Sequence, residues 1–180
     1  PRDSTTTVPA ATDPSTAPST TVAHGDLAGR TIVVDPGHNG ANGAHAAEIG
    51  RLVDAGGFRK PSNTTGAQEG ELTESRANWE IAQVLAADLR QRGATVVLTR
   101  DSDDGWGPCV DQRALTAQRV GADVIVSVHA DGADPSASGF HVIRAASGPT
   151  VTAEVRDASA AFAVDVRDAH EERMATMMRC

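Results

Sequence analysis

The chain reads as an α/β protein, a single domain with a largely parallel sheet, and two features of its pattern point there. Short apolar runs rich in β-branched residues at 31–34, 94–99 and 124–128 are too brief for helices and match buried strands. Between them, at 73–92 and 111–120, apolar residues recur at helical spacing. Strands alternating with helices favour parallel pairing, because parallel neighbours need a crossover between them. No internal repeat competes with that reading.

In chain order, residues 1–28 come first, dominated by Thr, Ser, Pro and Ala. That composition cannot bury a core and is expected to form a disordered tether, leaving 29–180 as the domain. Gly29 precedes the first strand at 31–34, and residues 35–70 follow, rich in Gly, Ala and Asn. Loops of that length inside a compact domain are functional or disordered; this one opens at His38, which favours function. A helix is expected over 73–92, with Ala77, Ile81, Val84, Leu85 and Leu89 on its apolar face, Thr73 as N-cap and Gly93 as stop. The second strand is 94–99, and an acidic turn at 100–105 follows it. The second helix spans 111–120 and stops at Gly121, the third strand is 124–129, and a fourth is expected at 139–143. A last helix covers 151–173, with Val155, Phe162, Val166 and Ala169 expected on its buried side.

The chain has 180 residues, enough for one domain and an appendage. Aromatic residues make up 3%, with no Tyr, so the core must come from Val, Ala, Leu and Ile. A net charge of -8 argues against nucleic acid or an anionic membrane as partner. No apolar run approaches the ~18 residues of a membrane span. The tether, and Pro1 rather than Met at the start, suit a secreted protein from which an upstream segment has been removed. Cys109, just after Gly107-Pro108, is expected to be a small buried thiol. It could pair with Cys180 only if the tail folds back, and neither cysteine has the spacing of a structural zinc site.

Two histidines share one local setting. The first strand runs into Asp35-Pro36-Gly37-His38, and the third runs into His129-Ala130-Asp131. Ligands bind at the carboxyl ends of strands in open α/β sheets, so both imidazoles can converge on one zinc ion. A lone histidine at a strand end is ordinarily packed or hydrogen-bonded; two in matching contexts put the ligand reading on level terms. A catalytic zinc takes three protein ligands, and two His with one carboxylate is a known set. Glu74, in the first turn of the long helix, is the favoured third ligand, with Glu48, Glu69 and Glu71 as rivals. Asp35 and Asp131 are candidate acceptors that orient the two histidines from the second shell. His141 is expected to be packed or hydrogen-bonded rather than a ligand, and His24, His45 and His170 solvated. No nucleophile elbow or phosphate-binding glycine loop is present, and the acidic turn lacks EF-hand spacing.

Together, Val33-Val34-Asp35-Pro36-Gly37-His38, Glu74 with Asn78-Trp79, Leu98-Thr99-Arg100-Asp101 and Ser127-Val128-His129-Ala130-Asp131 resemble the zinc-dependent N-acetylmuramoyl-L-alanine amidases of bacterial cell walls. The resemblance covers residues 31–143. Gly107-Pro108-Cys109-Val110-Asp111 and Gly139-Phe140-His141-Val142 are more particularly similar to secreted mycobacterial-type members. It implies a single α/β domain with a mixed, mostly parallel sheet flanked by helices on both faces. It also implies His38, Glu74 and His129 as zinc ligands, and peptidoglycan as substrate, cut between muramic acid and L-alanine. Such a zinc lowers the pKa of a water toward ~7 and polarises the amide carbonyl, and a second carboxylate must carry the proton to the leaving amine.

Two departures from that family pattern stand out. The family's general-base Glu lies on a late strand, after a helix like 151–173, and no such strand follows here. Glu154, Glu171 and Glu172 are outside its motif and read as a solvated helix face. The catalytic base is therefore unassigned, and the expectation is a member whose C-terminal portion is lost or altered. Secondly, Cys109 would pair in similar proteins with a Cys near Arg59-Lys60-Pro61-Ser62; Ser62 stands there instead, leaving a free thiol. Three readings remain: a zinc amidase, a catalytically impaired zinc-containing wall-binding module, and a zinc peptidase of another α/β type.

Overall fold

The computed structural model describes residues 26–134, 136–145 and 148–177. The tether up to residue 25, His24 and Cys180 lie outside the described residues. The elements in order are β1 (Thr31–Pro36), a 3-10 turn (Asn42–His45), α1 (Ala46–Ile49), β2 (Leu52–Asp54), β3 (Arg59–Pro61), β4 (Gln68–Glu69) and β5 (Leu72–Thr73). They continue with α2 (Glu74–Gln91), β6 (Thr95–Leu98), α3 (Val110–Val120), β7 (Val124–Val128) and α4 (Ala153–Met177).

Three of the strands form the central sheet in the order β6-β1-β7, all parallel. Val33 pairs with Val97 on one side and Ile125 on the other, which makes β1 the buried middle strand. The chain moves from β1 to β6 through α2, then reverses past β1 to β7 through α3. Right-handed crossovers in opposite directions place the two helices on opposite faces. The strand alternation agrees. Ile32 and Val34 face α2 in a core with Ala82, Ala94, Leu85 and Leu89, while Asp35 on the other face meets Arg113 of α3. Two small antiparallel ladders, β2-β3 and β4-β5, organise the segment after His38 into folded hairpins. Asp54 accepts the amides of Gly56 and Gly57, at φ of 90° and 103°, to turn the first of them.

Helix α2 starts where expected. Thr73 is in an extended conformation, and its hydroxyl accepts from the Arg76 amide at 3.3 Å. Its buried face is rotated from the expected one, however. Ala82 and Ala86 are fully buried, whereas Ile81 and Val84 face outward. Small residues let the helix approach the sheet closely, and the larger side chains flank that contact. At the start of the described residues Leu27 packs on the core, and Asp26 receives the Arg92 guanidinium at 3.2 Å.

Beyond β7 the expected packing does not materialise. Residues 139–143 carry no strand, since their alternating apolar pattern finds no ladder partner and Ile143 is 85% exposed. His141 is exposed there and faces Asp131 at 3.4 Å. Helix α4 forms, favoured by the Ala-rich run at 158–163, with the Thr152 hydroxyl accepting from the Val155 amide. Its expected buried side is largely open: Val155 is 52% exposed, Phe162 41%, and Ala169 faces solvent, while Val166 is half-buried. No helix among the described residues is long and apolar enough to cross a membrane.

Candidate metal centre

The carboxyl end of β1 and the neighbouring end of β7 bring the two histidines together. The ladder continues one residue past β1, where the Gly37 amide donates to the Val128 carbonyl at 3.0 Å. That puts Gly37 beneath the His129 ring, where a Cβ would meet imidazole atoms at 2.3–2.7 Å. Only glycine fits there. His38 follows with φ of 60°, a left-handed conformation uncommon outside glycine, and this turn aims its ring at α2. The two imidazoles meet edge to face with centroids 4.9 Å apart.

Glu74, the first residue of α2, closes the cluster. Its Oε1 lies 3.2 Å from His38 Nε2 and 2.9 Å from His129 Nδ1. The Ala67 amide donates to Oε2 at 2.8 Å, and the Ala130 amide to Oε1 at 3.3 Å. Gly66, at φ of 79°, passes so close that a Cβ would sit 2.8 Å from both Glu74 Oε2 and His38 Cδ2. Burial alone would raise the Glu74 carboxyl. The Ala67 amide, His129, the charge of His38 and Asn78 outweigh it and lower its pKa to about 2.

The donor set fits a metal. The Thr64 carbonyl can only accept, so at 2.9 Å it takes the proton of His38 Nδ1 and turns Nε2 toward Glu74. His38 Nε2 and His129 Nδ1 point at the same carboxylate oxygen. A cation stabilises such convergence, and a backbone acceptor behind the ring is the usual support of a ligating histidine. One ligand atom from each residue lies within 4.8 Å of the others. Tetrahedral bonds of ~2.1 Å would hold them about 3.4 Å apart. Of the rivals, Glu48 pairs with His45 and Glu69 is exposed in β4. Glu71 instead lines a groove of about 690 Å³ with Gly40, Ala41, Thr73 and Arg76, and none of the three cluster residues lines it.

The two aspartates find other partners. Asp131 faces His141 at 3.4 Å. Asp35 points to the opposite face of β1, as strand alternation requires. There it meets Arg113 at 2.6 Å, the Ser127 hydroxyl at 2.8 Å and the Thr99 hydroxyl. Burial pushes its carboxyl up, but Arg113 and these bonds hold it below the ordinary 3.8. Arg113 and Arg100, both buried, were not singled out from the sequence as site residues. Arg100 donates to the carbonyls of Pro36 and Ser75 at 3.0 and 2.7 Å, tying β1 to α2, and lies over Trp79. Buried Cys109 is a free thiol with the Ser62 hydroxyl donating to its sulfur, as expected from the serine at that position.

A parallel α/β sheet brings two histidines and a glutamate together at its carboxyl edge, in a cluster that could hold a metal ion. A family model described as N-acetylmuramoyl-L-alanine amidase matches residues 32–179. The chain belongs to that family. It is 39% identical over 145 residues to the N-acetylmuramoyl-L-alanine amidase Rv3717 of Mycobacterium tuberculosis, covering 79% of this chain and 58% of that protein. Its structure is similar to the N-acetylmuramyl-L-alanine amidase Ami1 of Mycobacterium smegmatis, at 38% identity and TM-score 0.72, over 79% of this chain and 64% of that one. The apo form of Ami1 from Mycobacterium abscessus gives 36% identity and TM-score 0.74, over 81% of this chain and 68% of the other. The chain thus spans 58% of the curated relative's length.

Proposed function

We propose that this chain is a zinc-dependent amidase that cleaves peptidoglycan between N-acetylmuramic acid and L-alanine. The convergence of His38 Nε2, His129 Nδ1 and Glu74 Oε1 carries the reading, and the names of its relatives support the bond to be cut. Such an ion supplies a Lewis acid for an amide carbonyl and lowers the pKa of a water toward ~7. Glu74, held ionised, is suited to ligation; a carboxyl with a pKa of about 2 is a poor base at neutral pH. The Thr64 carbonyl orients the His38 ring by accepting from Nδ1. A peptidoglycan substrate supports a location outside the cytoplasm, at the cell envelope.

One observation favours a second reading, a wall-binding module with zinc but little turnover. Glu74 is the one carboxylate of the described cluster, and Glu154 and Glu171 lie exposed along α4. Zinc-loaded protein given purified peptidoglycan separates the two. Release of stem peptides that ceases on chelation supports the amidase. Stoichiometric zinc and wall binding without release support the module, and release that survives chelation contradicts both.

A further inference from the structure

We propose that Arg113 is a positioning residue that sets metal affinity by holding His38 in its left-handed conformation; this rests on the metal reading above. Arg113 reaches from the first turns of α3 and is buried. Its guanidinium is anchored by Asp35 Oδ1 at 2.6 Å, on the face of β1 away from the metal cluster. From that anchor, Nη1 donates to the Pro36 carbonyl at 2.7 Å and Nη2 to the His38 carbonyl at 2.7 Å. Nη2 also donates to the Gly107 carbonyl at 3.0 Å, and Nε to the Pro108 carbonyl at 2.9 Å. One rigid fork therefore spans the end of β1, the ligand residue itself and the loop that backs it.

This matters because His38 sits at φ of 60° without the freedom of glycine. Such a residue keeps that conformation only when its surroundings over-determine it. On the ring side the determinant is the Thr64 carbonyl at 2.9 Å, and on the carbonyl side it is Arg113. Lysine retains the charge for Asp35, but a single ammonium cannot reproduce the planar fork. In Arg113→Lys the His38 carbonyl is released, the backbone relaxes and the imidazole turns off the Glu74 oxygen. Asp35 thus acts on the site through Arg113 rather than through a histidine ring.

The test compares zinc affinity, measured by competition with a chromophoric chelator, with the Tm of the metal-free protein. Arg113→Lys is expected to weaken zinc binding by roughly 10–100-fold, the usual cost of losing a support behind a ligand, while the metal-free circular dichroism stays that of the unaltered chain. A fall in metal-free Tm with unchanged zinc affinity of the folded protein overturns the inference, because a merely structural arginine behaves that way. If Arg113→Lys does not fold, Ser127→Ala carries the test, since it removes only the 2.8 Å bond to Asp35 Oδ2. It is expected to weaken zinc binding about threefold, the worth of one modest hydrogen bond, and unchanged affinity overturns the inference. Absence of zinc uptake by the unaltered chain overturns the metal reading and this inference with it; uptake by that chain with equal affinity in the variants overturns this inference alone.

Discussion

The chain up to β7 and the chain beyond it treat similar residues in opposite ways. In β1, Val33 and Val34 are 0% exposed, enclosed by strands on both flanks and a helix on each face. Past His129, Ile143 is 85% exposed, and Val155 and Phe162 of α4 lie open. The apolar content of the two regions is alike; what differs is an opposing surface. An apolar stripe lowers free energy only when something covers it, so the first region is a core and the second is an offer of one. The cluster of His38, Glu74 and His129 belongs to the first, each side chain placed by a sheet end or a helix start.

The largest expected effect tests whether the ordered region alone holds the site. His129→Ala is expected to abolish zinc uptake measured by elemental analysis; unchanged metal content discards the site as drawn. Next comes packing. Val34→Ala is expected to cost about 2 kcal/mol in chemical denaturation, from lost transfer energy and a residual cavity. Ile143→Ala, from the uncovered region, is expected to stay within about 0.5 kcal/mol. Equal losses would mean that residues 139–143 are packed in solution and would erase the contrast.

The third effect is pH-dependent. The folded-state pKa of Asp35 and of Glu74 is depressed, so each contributes stability above its unfolded value that is lost as pH falls through the folded one. For Glu74 the window runs from about 4.5 down to about 2, and for Asp35 it lies below 3.8. Metal-free protein is expected to lose stability across that range, and Asp35→Asn to flatten its acid limb. An unchanged limb would show that the Asp35–Arg113 pair does not form.

Much of this was legible in the sequence where the signal is local. The β-branched runs of β1 and β7, Thr73 as cap and Gly121 as stop depend on near neighbours, and they formed as read. The histidine and glutamate positions were legible for the same reason, since each follows a strand end or opens a helix. The partners of Asp35 were not. Arg113 lies 78 positions away, and no periodicity in α3 marks it as buried. The fourth strand failed differently: Phe140-His141-Val142 alternates correctly, but pairing is a property of two segments, and no strand among the described residues lies alongside.

X-ray absorption at the zinc edge, on protein loaded with one equivalent, tests the central claim most directly. The account expects a single site whose protein ligands are two imidazole nitrogens and one carboxylate oxygen at about 2.0–2.2 Å, lost in His129→Ala. A sulfur shell at about 2.3 Å, or a spectrum of hydrated zinc alone, would contradict it.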